Sequence, residues 1–228
     1  MSTLEPFHLT GPDGKRMRGD RAVGNDRQIL FITGFLSKRW GNKSKALAQW
    51  CEENGWGFCC YDVRGFGESD GRFIDYTLSD WIADARAVLN MLRGGPHLTR
   101  PPQALSHPPA PSLSNQAPFP MDAPRPRVTI VGNSLGGWIA WLLAQECQEV
   151  ERLVLIAPAF NMMGLRARSI DPERCHDWHS GGWMPWDNDP SHKGWPLSWK
   201  WVEESEAYWK TSFDRLRPVS TAILHGQE

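Results

Sequence analysis

Two serines in this chain of 228 residues stand at the centre of a G-x-S-x-G motif. One motif is Gly67–Gly71 (GESDG) and the other is Gly132–Gly136 (GNSLG). A serine in such a motif acts as a nucleophile toward an acyl carbon when an apolar strand runs directly into a helix, because the tight turn then presents its hydroxyl above the edge of the sheet. The residues that flank each serine therefore decide which motif can carry this chemistry.

Ser134 has these flanks and Ser69 does not. Val128–Val131 is an apolar run that predicts a strand, and residues 138–143 (WIAWLL) predict a buried helix. Gly132 and Gly136 leave room for the backbone of the turn between them. We therefore predict Ser134 as the nucleophile and interpret Ser69 as a loop residue. The alternative is a chance match in an ordinary strand-to-helix turn.

A nucleophilic serine also needs N–H donors for the oxygen that becomes negative in the transition state. The helix that begins after Ser134 offers the backbone N–H of Leu135 and the positive end of its dipole. The second donor is expected from the loop after an earlier strand, at Thr33-Gly34-Phe35. The backbone N–H of Phe35 is the best candidate there.

The elements that position these residues alternate along the chain. A hairpin at Pro6–Gly24 comes first, and the pattern then predicts strands and helices in turn. The predicted strands are Gln28–Thr33, Gly57–Tyr61, Arg127–Gly132, Leu153–Ala157 and Thr221–Leu224; the predicted helices are Ser44–Asn54, one that opens at Thr77, and Leu135–Cys147. This order indicates a single α/β domain over residues 1–228, with a mainly parallel sheet and helices on both faces.

Two segments interrupt the alternation. Residues 95–126 hold ten prolines from Pro96 to Pro126, which favours a disordered insertion, although a proline-rich ligand for an SH3-type module is an alternative. Residues 160–218 look irregular and hold seven of the thirteen tryptophans, between Trp178 and Trp209. We expect this second segment to form a cap or lid. Its tryptophans can serve as a binding wall or as the packing of a small cap.

Net charge and cysteine content indicate which classes of partner and which cellular compartment to expect. The net charge is −1 and the pI about 6.7, so we expect a small-molecule or acyl substrate and neither nucleic acid nor an anionic membrane as a partner. We see no export signal and no membrane span. The cysteines are odd in number and lie in apolar segments, which favours reduced thiols and a cytoplasmic location. The oligomeric state is left open.

Three motifs of the chain resemble successive signatures of the α/β-hydrolase superfamily: Phe31–Phe35 (FITGF), Asp62–Ser69 (DVRGFGES) and Gly132–Gly137 (GNSLGG). Three shorter stretches resemble its acyl-protein thioesterase and acyl-glucuronide esterase branch, namely Gly34–Ser37, Lys45–Leu47 and Gly182–Pro185. The resemblance implies an α/β-hydrolase fold and hydrolysis of a carboxylic ester or thioester through an acyl-enzyme, with no metal or organic cofactor. Members of this branch in animals are mitochondrial, whereas the predicted fold starts close to Met1.

The chain departs from the family at the remaining catalytic residues. The resemblance implies a triad in the order Ser, acid, His, with the acid after a strand that ends in His-Gly-x-x-Asp. Here the predicted strand Thr221–Leu224 leads into His225–Glu228 (HGQE), one position short of that Asp. We therefore expect a truncated chain that lacks the last strand and helix of the fold, and a loss of about 10⁶ in turnover. His225 as base and Glu228 as acid are the open alternatives.

A non-catalytic protein that binds acyl ligands is the rival interpretation of function. The same cap also holds Cys175, His176, His179 and His192, whose spacing allows a metal cluster. A second pair of ligands is missing from this pattern, so we predict no metal site.

Overall fold

The computed structural model describes residues 4–94, 127–187, 193–214 and 216–226. The strands of this part of the chain are β1 (Glu5–Thr10), β2 (Arg16–Ala22), β3 (Arg27–Ile32), β4 (Gly57–Asp62), β5 (Arg127–Asn133), β6 (Val150–Ile156), β7 (Trp183–Pro185), β8 (Pro196–Ser198) and β9 (Ser220–Leu224). The helices are α1 (Asn42–Glu53), α2 (Leu78–Leu92), α3 (Leu135–Glu146), α4 (Met162–Ser169), α5 (Pro172–Gly181) and α6 (Lys200–Thr211), and a 3₁₀ turn lies at Phe73–Asp75.

Seven strands form one sheet in the order β1-β2-β4-β3-β5-β6-β9. The β1–β2 hairpin is antiparallel and joins β4 in antiparallel fashion, while β4, β3, β5, β6 and β9 are parallel to one another. The predicted α/β class and mainly parallel sheet are therefore confirmed. All the parallel strands end at the same edge, and β5 brings Ser134 to that edge.

Apolar side chains pack on both faces of this sheet. The larger cluster, on one face, contains Leu30 of β3 and Cys59 of β4 together with the buried side chains of α2 and α3. The smaller cluster, on the other face, contains the next strand residues Phe31 and Cys60 together with Cys51 of α1. Adjacent strand residues point to opposite faces, so this division follows from the period of two along a strand. The five cysteines all lie in the described part, and all are free.

Helix α2 shows how a local signal sets a boundary. Thr77 caps the helix in extended conformation, and its backbone N–H donates to Asp80 Oδ2 at 3.0 Å. This is a capping box, which satisfies the first free N–H groups of a helix. The helix therefore starts where the sequence pattern places it, and its stripe of Trp81, Ala85 and Leu89 is buried.

The prediction that residues 160–218 are irregular is wrong. The segment forms α4, α5, α6 and the antiparallel pair β7–β8. Helices α4 and α5 have only eight and ten residues and bury few side chains, so periodicity along the chain does not reveal them. Helix α6 has twelve residues, as α1 has, and its buried Trp201, Val202 and Ser205 share one helix face, a signal that the sequence did offer. Other signals were present, since Asp171 accepts backbone hydrogen bonds at the start of α5, Pro172 occupies its first turn, and Gly182 ends it at φ +74°.

The described residues of the segment 160–218, for which the sequence predicts a cap, pack around three of the segment's tryptophans. Trp178, Trp186 and Trp201 are buried in the larger core cluster, and Trp178 Nε1 donates to the Leu197 carbonyl at 2.9 Å. Trp183 and Trp209 are exposed by contrast. Of the two roles that the sequence allows for these tryptophans, a binding wall or internal packing, the buried Trp178, Trp186 and Trp201 have the packing role.

Several predictions fall on residues outside the described part, namely the Pro-rich insertion at 95–126, His192 and Glu228. No helix in the described ranges is both long and apolar enough to cross a membrane.

Candidate active site

Ser134 occupies the turn between β5 and α3. Its backbone has φ +53° and ψ −121°, a conformation that is strained for a residue with a Cβ. Three backbone hydrogen bonds hold it there: the Ser134 N–H donates to the Ile156 carbonyl at 2.9 Å, and the Ser134 carbonyl accepts from Gly137 at 2.9 Å and Ala159 at 3.0 Å. Strand β6 and the loop after it therefore hold the turn on one side, and the start of α3 holds it on the other.

The glycines of the motif are required by close backbone packing. A Cβ on Gly132 would lie 2.4 Å from the Gly136 carbonyl oxygen. A Cβ on Gly136 would lie 2.3 Å from the carbonyl oxygens of both Ile32 and Thr33. Both distances are far below van der Waals contact, so the start of α3 packs directly against the end of β3.

This packing brings the loop of the predicted donor Phe35 close to the serine. A Cβ on Gly34 would lie only 3.1 Å from the Ser134 Cβ, so the Thr33-Gly34-Phe35 loop passes beside Ser134. The backbone N–H groups of Phe35 and Leu135 have no hydrogen-bond partner among the described residues. An oxygen that becomes negative beside Ser134 thus has two donors available, together with the N-terminal dipole of α3.

The side chain of Phe35 is held by an aromatic box, which we define as the rings of Phe73, Trp81, Trp186 and Trp201. Their centroids lie 5.1 to 5.8 Å from that of Phe35. Trp81 and Trp201 also contact each other, edge to face, at 4.8 Å. The sequence did not indicate this box, because its members come from segments far apart in the chain.

Arg39 anchors the other end of the same loop. Its Nε donates to Asp20 at 2.7 Å, its Nη1 to the buried Asp62 at 2.5 Å, and its Nη2 to Glu68 at 2.9 Å. Burial works against the charge of Arg39, yet its carboxylate partners raise its pKa above the ordinary value. The sequence signal for this clamp was Asp62, a carboxylate at the end of a buried strand.

Ser69, the other motif serine, is engaged in structural hydrogen bonds. Its Oγ donates to the Asp62 carbonyl at 2.6 Å and accepts from the Arg18 N–H at 2.9 Å. These bonds fasten the loop after β4 to β2. They leave Ser69 away from any strand-to-helix turn.

No described side chain forms a hydrogen bond with Ser134 Oγ. His225 follows β9 and is exposed, with its Nδ1 3.2 Å from the neighbouring Gly226 carbonyl oxygen. His176 and His179 lie on α5, where His179 packs edge to face on Trp199. The described residues therefore place no basic side chain in hydrogen-bond contact with Ser134 Oγ. They also contain no group of three or more His, Cys, Asp or Glu suited to a metal ion.

Two surface cavities lie away from Ser134. One, of about 430 Å³, opens between α4 and α5, and the other, of about 550 Å³, opens beside the β1–β2 turn. The second is lined by charged groups that already pair with one another, notably Arg64 with Asp13 and Asp80. Neither cavity includes the serine or its N–H donors.

A strained serine at a strand-to-helix turn, with free N–H groups beside it and a mainly parallel sheet beneath it, is the arrangement typical of the α/β-hydrolase class. Comparison with known sequences agrees: the profile of the α/β hydrolase family matches residues 29–227. The chain belongs to the α/β hydrolase family.

Curated relatives give a finer comparison. The chain is 24% identical over 222 residues to a bovine (Bos taurus) protein named palmitoyl-protein thioesterase ABHD10, mitochondrial. The alignment covers 96% of this chain and 62% of the bovine protein. The match to the rat (Rattus norvegicus) protein of the same name is 26% over 131 residues, covering 58% of this chain and 34% of the rat protein. The chain thus spans less than two thirds of these relatives. Their names place them in mitochondria, so they lend no support to the cytoplasmic location expected above.

Solved structures share the fold. A structure from Agrobacterium vitis S4, assigned as a hydrolase, superposes with a TM-score of 0.73 at 18% identity, covering 100% of this chain and 91% of the other. Mouse α/β hydrolase domain-containing protein 10 superposes with a TM-score of 0.68 at 20% identity, covering 100% and 90%. These superpositions confirm the predicted α/β-hydrolase fold.

Proposed function

We propose that this protein is an ester or thioester hydrolase in which Ser134 forms an acyl-enzyme. The observation that carries the proposal is the strained Ser134 turn with the unpartnered N–H groups of Phe35 and Leu135 beside it. Family membership and thioesterase-named relatives support a carboxylic acyl substrate. The names of these relatives make a thioester one of the two substrate classes to test.

The reaction has two steps. Ser134 Oγ attacks the acyl carbon while a base removes its proton, and the bond to the leaving sulfur or oxygen breaks as that atom takes the proton. Water then attacks the acyl-serine, which releases the carboxylic acid and restores the hydroxyl. In both steps the carbonyl oxygen becomes negative, and the N–H groups of Phe35 and Leu135 stabilise it. Each donor accounts for about 10² to 10³ in rate.

A base is the component that the described residues do not bring to Ser134. A serine without its base loses about 10⁶ in turnover and keeps only the rate provided by binding and the N–H donors. We therefore propose that the 228-residue chain acylates slowly. A small base from solution can replace a missing imidazole, which makes the deficit measurable.

The test is acylation of the purified chain by a p-nitrophenyl acyl ester and by an acyl thioester, with and without added imidazole. We expect imidazole to raise the rate above that of the Ser134→Ala variant under the same conditions, and intact mass spectrometry to find the acyl group on Ser134. Ser180→Ala, at an exposed serine on α5, is the matched control and should behave as the unaltered chain. Equal rates for the chain and for Ser134→Ala at every imidazole concentration would refute the proposal.

The second candidate function is an acyl-ligand binding protein without catalysis. It is favoured by the absence of any hydrogen bond from a described side chain to Ser134 Oγ. In that case an alkyl thioether, which is the analogue of the thioester without its carbonyl oxygen and cannot be hydrolysed, binds equally to the chain and to Ser134→Ala, and no acyl-serine forms from the ester substrate even with imidazole. The same mass measurement thus separates the two candidates.

A further inference from the structure

The loop that carries the Phe35 N–H cannot hold its shape by local structure alone. Leu36, the next residue, is buried at φ +53°, a left-handed conformation that is strained for a residue with a Cβ. Backbone strain of this kind persists only where surrounding contacts impose it. At Arg39 these contacts are ionic, whereas at Phe35 they are the rings of the aromatic box.

Two members of the aromatic box, Trp186 and Trp201, belong to the cap. Trp186 packs nearer to Phe35, with ring centroids 5.1 Å apart. The cap holds it on two sides. Its backbone N–H donates to the Trp195 carbonyl at 2.7 Å, and the Arg166 guanidinium lies 4.7 Å from its ring centroid. Arg166 is in turn held by Asp187, with Nη2 and Oδ1 2.5 Å apart. A cation over an indole face is an attractive contact that fixes the ring plane.

These contacts form a continuous physical path from the cap to the nucleophile. Arg166 orients Trp186, Trp186 packs on the ring of Phe35, and the Phe35 backbone lies next to Gly34 and Ser134. A shift of the Phe35 ring moves the N–H of the same residue. Misplacement of a catalytic group by about 1 Å costs about 10² in rate.

We propose that Trp186 is a positioning residue for the Phe35 N–H donor, so that the cap sets the rate of acylation at Ser134. This inference rests on the proposed function. Trp186 acts through Phe35 and touches no reacting atom. Its loss is therefore expected to lower the rate of acylation at saturating substrate more than it changes the concentration needed for half saturation.

The experiment compares Trp186→Ala, Trp186→Phe and Trp183→Ala in the imidazole-supplemented p-nitrophenyl ester assay. Trp183 lies on β7 three residues earlier and is 53% exposed, which makes it the matched control. We expect Trp186→Ala to lower the acylation rate at saturating substrate by about 10- to 100-fold. The substrate concentration that gives half saturation should stay within about 3-fold of that of the unaltered chain. Trp186→Phe keeps an aromatic edge against Phe35 and should restore the rate to within about 3-fold of the unaltered chain.

Amide hydrogen exchange supplies a readout that does not depend on turnover. The peptide of residues 33–40 contains the Ser37 N–H, bonded to the Gly34 carbonyl at 3.2 Å, and the Arg39 N–H, bonded to Asp62 at 2.6 Å. We expect this peptide to exchange faster in Trp186→Ala than in Trp186→Phe or Trp183→Ala.

Two outcomes overturn the proposal. In one, Trp186→Ala raises only the half-saturating concentration, as a residue of the substrate wall would. In the other, Trp183→Ala loses as much rate as Trp186→Ala, as general loosening of the cap would produce. If the unaltered chain forms no acyl-Ser134, the proposed function fails by itself. Exchange of residues 33–40 then decides the positioning role, and equal exchange in all variants refutes it.

Discussion

Replacing Ser134 with glycine should stabilise the protein relative to replacing it with alanine. At φ +53° and ψ −121° a residue with a Cβ is strained by about 1–3 kcal/mol, whereas glycine is not. Glycine also gives the unfolded chain more freedom, which costs about 0.4–1 kcal/mol. The hydroxyl contributes little to either comparison, because Ser134 Oγ has no hydrogen-bond partner among the described residues. The net advantage of Ser134→Gly over Ser134→Ala is therefore about 0.5–2 kcal/mol.

In a chain of this size that difference corresponds to a rise of about 1–8 °C in Tm. Differential scanning calorimetry of the two variants measures it, and mass spectrometry after exposure to the activated ester should show that neither carries an acyl group. Ser180 on α5 is the control position, because its helical backbone reverses the order and makes glycine worse than alanine by about 0.5–1 kcal/mol. If Ser134→Gly melts below Ser134→Ala, the turn stores no strain and its pre-organisation has been wrongly inferred.

Three further predictions concern packing, pH and thiols. Gly136→Ala forces a Cβ against two carbonyl oxygens at 2.3 Å, and should lower the free energy of unfolding by about 1–3 kcal/mol in a urea titration and slow acylation at Ser134. Gly181→Ala, which meets no atom within 4 Å, should do neither. The pKa of Asp187 is lowered chiefly by its hydrogen bond from Arg174, so its stabilising effect is present above the ordinary Asp pKa and is lost as the pH falls through the lowered value. Asp187→Asn should thus lower Tm at pH 7, and the difference from the unaltered chain should shrink as the pH falls below 3.8, the ordinary Asp pKa; a constant difference would contradict this. Burial raises the pKa of the Cys51 thiol to about 12. A thiol reagent at pH 8 should therefore label native protein much faster at Cys175 than at the buried thiols Cys51, Cys59 and Cys60. Unfolding the protein in urea should remove this difference in labelling rate.

Local signals along the chain were enough for the main sheet and its helices. The apolar run before Ser134, the glycines around it and the capping box at Thr77 each act within a few residues, so their structural consequence can be stated without knowing the rest of the fold. For the same reason the sequence could separate Ser134 from Ser69. In residues 160–218 the apolar side chains contact partners from other segments, and in α4 and α5 their spacing along the chain carried no periodic signal.

The sequence by itself determined which serine sits at a strand-to-helix turn and where the parallel strands end, and it predicts Phe35 and Leu135 as backbone N–H donors. Only the tertiary structure decided what holds those groups in position. The aromatic box joins Phe35 to Trp81, 46 positions later, and to Trp186, a further 105 positions on. Contacts of this kind depend on where the whole chain folds back on itself, because dispersion forces and hydrogen bonds act over a few ångströms in space and carry no mark in the sequence between the partners.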